Sequence, residues 1–354
     1  MTELFYPVKV IGDIKTIKIT EELLYWYPWI DAIRHKSVYL ALSLKWKSDG
    51  SYPDTPPPGY EYYITSGDSL MFGWPEHMID KIDGQVIHLT GAIMPDSFDT
   101  DRIQYVSYNT AHRMVEKITR PVINKKITHK VSALTNRISQ SKCIIFAALM
   151  SILDEQDRMM SLNNTASNHS VHSWQLSGNA VCDQYTSMFK QYWLDKKISL
   201  PGDDGIDKSY NNSAYKNTAL NFTQESYHYS LMSNNTRSYI EPGPFVTEKT
   251  FKCLLSKTAF VPVGQAYTYQ WLEQLGCRFD YGALNLEFDQ DPGNLTRLEK
   301  IVALIESLDQ WSAQDLYEMT LDSTLHNHEL VTSDRFWNAC EESNAETYKI
   351  LTKL

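Results

Sequence analysis

The sequence lacks the features that most directly assign a chain to a secreted, zinc-stabilised or membrane class. Its five cysteines are odd in number and widely spaced, and none forms a C-x-x-C pair, which argues against a disulfide framework or a structural zinc site. No apolar run approaches the length of a membrane span, and no basic region followed by an apolar core opens the chain. These absences predict a cytoplasmic protein that has no membrane partner.

The length and composition predict two domains of the α/β class. A chain of 354 residues with 42% hydrophobic residues exceeds what one core usually spans. Residues 161–170 are rich in Ser and Asn, so we place the boundary there, between domains 1–170 and 171–354. Residues 85–90 and 103–108 have strand character and alternate with loops and helical patterns, as in α/β proteins.

The clearest local organisation lies in the C-terminal half. Thr247 is a suitable N-cap for a helix that begins at Glu248. An apolar strand at 259–263, a helix at 267–275 and a further strand at 277–281 are predicted to follow. This order is typical of nucleotide-binding α/β units, whose ligands lie at strand C-terminal ends and helix N-termini.

The side chains of Glu248 and Lys249 at a helix start suit the binding of a nucleotide. The N-terminus of a helix presents N–H groups and partial positive charge to a phosphate, and Lys249 would add a full charge. A neighbouring carboxylate can accept hydrogen bonds from the two hydroxyls of a ribose. From spacing alone, however, an acid in the first helical turn equally fits compensation of the helix dipole.

Residues 245–251, with the letters F-V-T-E-K-T-F, resemble the donor-binding block of the fucosyltransferase family and its bacteriophage and bacterial relatives. The apolar segment 259–264, A-F-V-P-V-G, matches the strand that follows this block in the family. In the family, the Glu and the Lys contact the sugar nucleotide. The resemblance therefore implies that Thr247 and Glu248 belong to a donor site, with Glu248 on the ribose and Lys249 on phosphate.

Two further residues are assigned to the donor site by the same resemblance. The family has a strand that ends in an aromatic residue and a glutamate, to which residues 220–226 are similar, so Glu225 is a predicted donor-site residue. Arg137 precedes an apolar helix, as a basic residue does in the family, and would neutralise the leaving diphosphate; a solvent-facing Arg is the alternative.

The resemblance implies a fold of the GT-B type, with two facing Rossmann-like domains. The C-terminal domain would bind a UDP- or GDP-linked sugar as donor substrate, without a metal or other cofactor, for hexosyl or pentosyl transfer. An acceptor hydroxyl needs a general base, for which the N-terminal half offers carboxylates near predicted strand ends or loops, with His77 and His88 as alternatives. The carboxylate candidates are Asp68, Glu76 and Asp96.

A metal-dependent transferase is the alternative reading, because two D-x-D sequences occur. Asp289 and Asp291 form one such pair, and Asp99 and Asp101 form the other. Paired carboxylates of this kind can hold a divalent cation that bridges a diphosphate.

A basic segment within the acidic chain suggests the acceptor. Residues 113–142 hold eight basic residues against one acid, although the net charge of the whole chain is -10. Such a segment is typical of contacts with a phosphate backbone, and a solvated helix face is the alternative. We therefore predict double-stranded DNA as the partner, with hydroxymethylcytosine in bacteriophage DNA as acceptor. The other hypotheses are a transferase that acts on a surface glycan and a non-catalytic nucleic-acid-binding protein. The predicted DNA-binding residues are Arg113, Lys117, Arg120, Lys125, Lys126 and Lys130.

Overall fold

The computed structural model describes residues 9–44, 51–67, 73–91, 99–118, 124–135, 138–162, 176–200, 213–225, 244 and 246–354. The chain divides into two compact units. The first consists of Met1–Lys117 together with Trp337–Leu354, and the second is Ile118–Phe336. Among the described residues, no helix is both long enough and apolar enough to cross a membrane.

Nine strands and twelve helices occur in the described residues. The strands are β1 (Val10–Asp13), β2 (Val38–Leu44), β3 (Tyr62–Gly67), β4 (Gln85–Thr90), β5 (Ile103–Ser107), β6 (His129–Thr135), β7 (Arg158–Leu162), β8 (Thr218–Gln224) and β9 (Ala259–Val263). The helices are α1 (Glu21–Trp26), α2 (Gly73–Ile79), α3 (Ala111–Lys117), α4 (Gln140–Ile152), α5 (Ala180–Tyr192), α6 (Ser213–Lys216), α7 (Glu248–Leu255), α8 (Thr268–Gln274), α9 (Asn294–Ser307), α10 (Ala313–Val331), α11 (Asp334–Ser343) and α12 (Ala345–Leu351).

The first unit is built on a five-stranded sheet with the order β1-β2-β3-β4-β5. Strand β1 is antiparallel to β2, and the remaining strands run parallel. Its central strands are buried on both faces, because Leu40 and Ile64 belong to one apolar cluster while their neighbours Ala41 and Tyr63 belong to another. Burial on both faces explains why β2 is a nearly continuous apolar run instead of an alternating one.

The second unit is built on a parallel sheet with the order β7-β6-β8-β9. Helix α4 packs with α5 and α9, whereas α7 packs with α10. The chain leaves β6 towards β7 and leaves β8 towards β9, in opposite directions across the sheet, which creates a topological switch point between β6 and β8. Ligands of open α/β sheets bind outside the carboxyl ends of the strands at such a point. The predicted α/β class is confirmed.

The division into units does not follow the boundary predicted at residue 170. Strands β6 and β7 precede that residue, yet they pair in one sheet with β8, which follows it. A cut at residue 170 would therefore separate hydrogen-bonded neighbours of one sheet. The segment Trp337–Leu354 also belongs to the first unit, and most of the Ser- and Asn-rich stretch at 161–170 lies outside the described residues.

Residues 277–281 do not form the predicted strand. Side chains of α10 bond their backbone instead: Asn327 accepts from the N–H of Arg278 at 2.7 Å and donates to its carbonyl at 2.7 Å. Ser323 accepts from the N–H of Asp280 at 3.0 Å. Its aromatic residues Phe279 and Tyr281 pack against Tyr269 of α8, while side chains of α10 take the hydrogen-bonding place of a neighbouring strand.

Candidate functional site

The start of α7 lies at the carboxyl edge of the second sheet. The helix begins at Glu248, as predicted, and the hydroxyl of Thr247 accepts from the N–H of Lys249 at 3.4 Å. The aromatic and aliphatic positions that predicted the helix, Phe251 and Leu254, are buried. Phe245, the first residue of the resembling block, lies outside the described residues.

Glu225 joins the end of β8 to the start of α7. Its buried carboxylate accepts from the Thr247 N–H at 3.2 Å and from the Thr247 hydroxyl at 2.5 Å. The Thr250 hydroxyl donates to it at 2.6 Å. Glu225 is therefore at the predicted site, but its oxygens are used to hold the helix start. These bonds fix the start of α7 against the end of β8, and a direct contact of Glu225 with a donor stays a prediction.

Lys249 places a positive charge beside this junction. Its Nζ lies 3.1 Å from the Thr247 hydroxyl and 3.6 Å from a Glu248 carboxylate oxygen, and 3.9 Å separates it from Glu225 Oε2. The Lys249 side chain keeps 27% of its surface exposed and that of Glu248 keeps 18%. The ammonium is thus held at the helix N-terminus, where helix dipole and side chain both favour an anion.

A second cation, which sequence reasoning missed, lies at the same edge. Gly264 follows β9, and a Cβ on it would come within 3.3 Å of Glu225 Cβ, so glycine permits this close approach. The Gly264 carbonyl accepts from Arg297 Nε at 3.1 Å, and Asp291 O accepts from Arg297 Nη1 at 2.9 Å. No local signal links Arg297 to this edge, because its bond to Gly264 spans a long sequence separation.

The two carboxylates of the Asp289–Asp291 pair lie at the starts of two different helices, α8 and α9. Asp289 accepts from the backbone N–H groups of Thr268 and Tyr269, at 2.9 and 3.0 Å, and burial raises its pKa to about 6. Burial also acts to raise the pKa of Asp291, but the hydrogen bonds to its carboxylate have the larger effect and hold that pKa below its usual range. The main one comes from Lys300, at 2.7 Å. Both side chains therefore have partners within the protein.

The other D-x-D sequence also has a structural use. Asp99 accepts from the Tyr105 N–H at 2.8 Å, and Asp101 is exposed. Within the part of the chain that the structure describes, no group of three or more His, Cys, Asp or Glu side chains is arranged to hold a metal ion.

Of the candidates for the general base, Glu76 lies within the described residues, whereas Asp68 and Asp96 lie outside them. The Tyr105 hydroxyl donates to Glu76 at 2.7 Å. His88 is buried, its Nδ1 is 2.9 Å from the Thr65 hydroxyl, and burial lowers its pKa to about 3. His88 is therefore a neutral core residue, and Glu76 remains a predicted candidate.

The remaining candidate, His77, is exposed, and its Nε2 lies 2.9 Å from Lys81 Nζ.

The predicted basic segment crosses from the first unit into the second. In the first unit, Arg113 is buried with its guanidinium 3.2 Å from a Glu341 carboxylate, and Lys117 is exposed with its Nζ 5.0 Å from the ring centre of Tyr25. Arg120 lies outside the described residues, as does Arg137.

In the second unit, two of the three predicted DNA-binding lysines have internal partners. Lys125 donates to Tyr215 O and to the Thr258 hydroxyl, both at 2.7 Å, and burial lowers its pKa to about 7. Lys130 is buried and lies 3.1 Å from Asp157. Lys126 is exposed. Arg113, Lys125 and Lys130 thus direct their charges at groups of the protein itself, whereas Lys117 and Lys126 are exposed, and the DNA footprint stays a prediction.

Comparison with known proteins leaves the site without an assigned family. No protein-family model matches the chain, and no curated protein sequence matches it. The link to fucosyltransferases therefore remains a resemblance of residues 245–251 and 259–264, whose described members lie at the junction of β8, α7 and β9.

Proposed function

We propose that this chain is a nucleotide-sugar-dependent glycosyltransferase that binds its donor in the second unit, beside the switch point. The observation that carries the proposal is the position of Lys249, whose ammonium lies at the N-terminus of α7, near Glu225, the residue that follows β8. A helix N-terminus and an ammonium group at the carboxyl edge of a parallel sheet bind phosphate by combined hydrogen bonding and charge.

The chemistry of sugar transfer matches these groups. As the acceptor hydroxyl attacks the anomeric carbon, the bond to the diphosphate oxygen breaks and negative charge develops on the leaving group. Lys249 and the N–H groups of α7 would stabilise that charge. Glu248, which is partly exposed beside Lys249, offers a carboxylate to the ribose hydroxyls, and Glu225 holds the helix start in position.

In the proposed GT-B type arrangement, the second unit binds the donor and the first unit binds the acceptor. Both units contain parallel strands in an α/β arrangement, which that architecture requires. Glu76 of the first unit is the proposed general base, with the Tyr105 hydroxyl as its hydrogen-bond partner.

The acceptor is proposed to be a hydroxyl compound. Two of the predicted DNA-binding lysines, Lys117 and Lys126, are exposed and therefore support hydroxymethylated DNA as the acceptor. Hydroxymethylated DNA and an oligosaccharide are to be tested as acceptors side by side. Mass-spectrometric detection of a transferred sugar on either compound would identify the donor and the acceptor together.

Titration calorimetry with UDP, GDP and their sugar conjugates tests the donor site. Loss of one charge-assisted hydrogen bond, worth about 1.5–3 kcal/mol, predicts that Lys249→Ala binds about tenfold to a hundredfold more weakly. The matched control is Lys126→Ala, because Lys126 precedes β6 and lies at the opposite edge of the same sheet. Absence of binding to the whole panel by the wild-type chain, or equal binding by Lys249→Ala, would refute the proposal.

A further inference from the structure

Two buried polar side chains at the switch point have no hydrogen-bond partner among the described residues. They are Thr135, through its hydroxyl, and Gln224, through both its amide oxygen and its amide nitrogen. Thr135 is fully buried, and Gln224 keeps 2% of its surface exposed. A buried polar group without a hydrogen-bond partner lowers the stability of the fold, so the presence of these two side chains needs an explanation.

The two residues end neighbouring strands. Strands β6 and β8 pair Val131 with Leu220 and Ser132 with Asn221, and the same offset, continued three residues beyond the last pair, would place Thr135 opposite Gln224. These are the last residues of their strands. The pair therefore lies at the carboxyl edge, where the two strands flank the switch point.

The pair faces away from α7. Side chains alternate between the two faces of a strand, so Gln224 and Glu225 lie on opposite faces of β8. The face of Glu225 is the one that meets α7, because Glu225 bonds Thr250, and Thr223 Oγ1 lies 3.3 Å from Cys253 Sγ. A ligand held by Lys249 would have to cross the end of β8 to contact Thr135 and Gln224.

The same strands satisfy their other polar side chains. Asn221 donates to the Ser132 hydroxyl at 2.8 Å and accepts from the Thr223 hydroxyl at 2.8 Å. Hydrogen bonding inside this sheet is therefore complete on the α7 face, whereas Thr135 and Gln224 remain unpaired on the other. The contrast points to a partner that is not part of the protein.

We propose that Thr135 and Gln224 form a recognition subsite for an uncharged polar group of the ligand, an inference that rests on the proposed function. Both side chains are neutral, and burial beside them disfavours a charged group. The amide donates through Nε2 and accepts through Oε1, so it fits a group that presents a donor and an acceptor side by side. In a sugar nucleotide, an edge of the nucleobase and a pair of sugar hydroxyls both have this chemistry.

The test compares affinity with stability in the full chain. Gln224→Leu and Thr135→Val should each bind the sugar nucleotides about tenfold more weakly in titration calorimetry, while their urea unfolding midpoints stay equal to or above that of the wild type. An equal loss for bare UDP or GDP would assign the subsite to the nucleoside. A loss confined to the sugar-linked forms would assign it to the transferred sugar.

Thr223→Val is the matched control, because it makes the same change at a hydroxyl that is bonded within the sheet. It should lower the unfolding midpoint and leave affinity unchanged. Wild-type affinity in Gln224→Leu and Thr135→Val, together with lost binding in Lys249→Ala, would overturn the subsite and leave the proposed function standing. Lowered stability in both subsite variants would also overturn it, and a wild-type chain that binds no probe would overturn both proposals.

Discussion

At the scale of single residues, Glu341 shows how a buried charge network holds the returning segment to the first unit. Its carboxylate lies 3.0 Å from His112 Nε2 and 3.2 Å from Arg113 Nη2, and it accepts from the Tyr348 hydroxyl at 2.6 Å. The hydrogen bond from His112, supported by those of Tyr348 and the charge of Arg113, lowers the pKa of Glu341 to about 2. Residues 337–354 are thus tied to α3 by one carboxylate.

Replacing that carboxylate gives a prediction with a defined pH dependence. A pKa lowered from 4.5 to about 2 on folding contributes stability that is present above pH 4.5 and is lost as the pH falls towards 2. Glu341→Gln should therefore lower stability by about 1–3 kcal/mol at pH 7, and the difference should shrink below pH 4.5. Thermal unfolding between pH 3 and pH 7 measures it.

The exposed neighbour Glu342 supplies the control for this experiment, as Glu342→Gln. A gap between Glu341→Gln and the wild type that stays constant over the whole pH range would contradict the prediction.

Single residues also show what a charge count along the chain cannot reveal. Lys125 and Lys126 are adjacent and equally basic in sequence, yet the first has three internal oxygen partners and the second is exposed. The partners of Lys125 lie on Tyr215, Thr218 and Thr258, far along the chain. Which lysine is internal is therefore decided by tertiary packing, not by the local pattern.

At the scale of elements, the junction of β8 and α7 depends on Glu225. Removing its carboxylate leaves the Thr247 N–H and two threonine hydroxyls without their acceptor, so Glu225→Ala should destabilise the chain by about 1–3 kcal/mol. It should also weaken donor binding, because the start of α7 loses its anchor. Urea unfolding and hydrogen exchange over Glu248–Leu255 measure the two effects.

Glu273→Ala, at an exposed position of α8, is the control for Glu225→Ala. Unchanged exchange rates in α7 of the Glu225 variant would show that the helix start does not need this carboxylate.

Elements whose formation depends on neighbouring residues could be predicted from the sequence, whereas features that depend on contacts between distant parts of the chain could not. The cap at Thr247 and the apolar spacing behind it predict α7 correctly, because a helix start depends on neighbouring residues. Thr135 and Gln224 end strands that are neighbours only in the folded sheet, and side chains of α10 bond residues 277–281, so no local pattern marks either feature.

At the scale of the whole molecule, the limits of the second unit can be tested with fragments. Residues 118–336 contain all four strands of its sheet, so this fragment should fold and bind the sugar nucleotides that the full chain binds. Residues 171–354, the domain predicted from sequence, lack β6 and β7 and should not form a stable sheet. Circular dichroism and cooperative urea unfolding distinguish the two outcomes, and a folded 171–354 fragment would contradict the division.

The return of residues 337–354 to the first unit has a consequence for synthesis on the ribosome. The side chain of Leu351 is fully buried in the apolar cluster that also contains Trp26 and Leu40. Because the chain emerges from its N-terminus, Trp26 and Leu40 leave the exit tunnel long before Leu351 does. All of residues 118–336 therefore leave the tunnel before residues 337–354, which complete the core of the first unit.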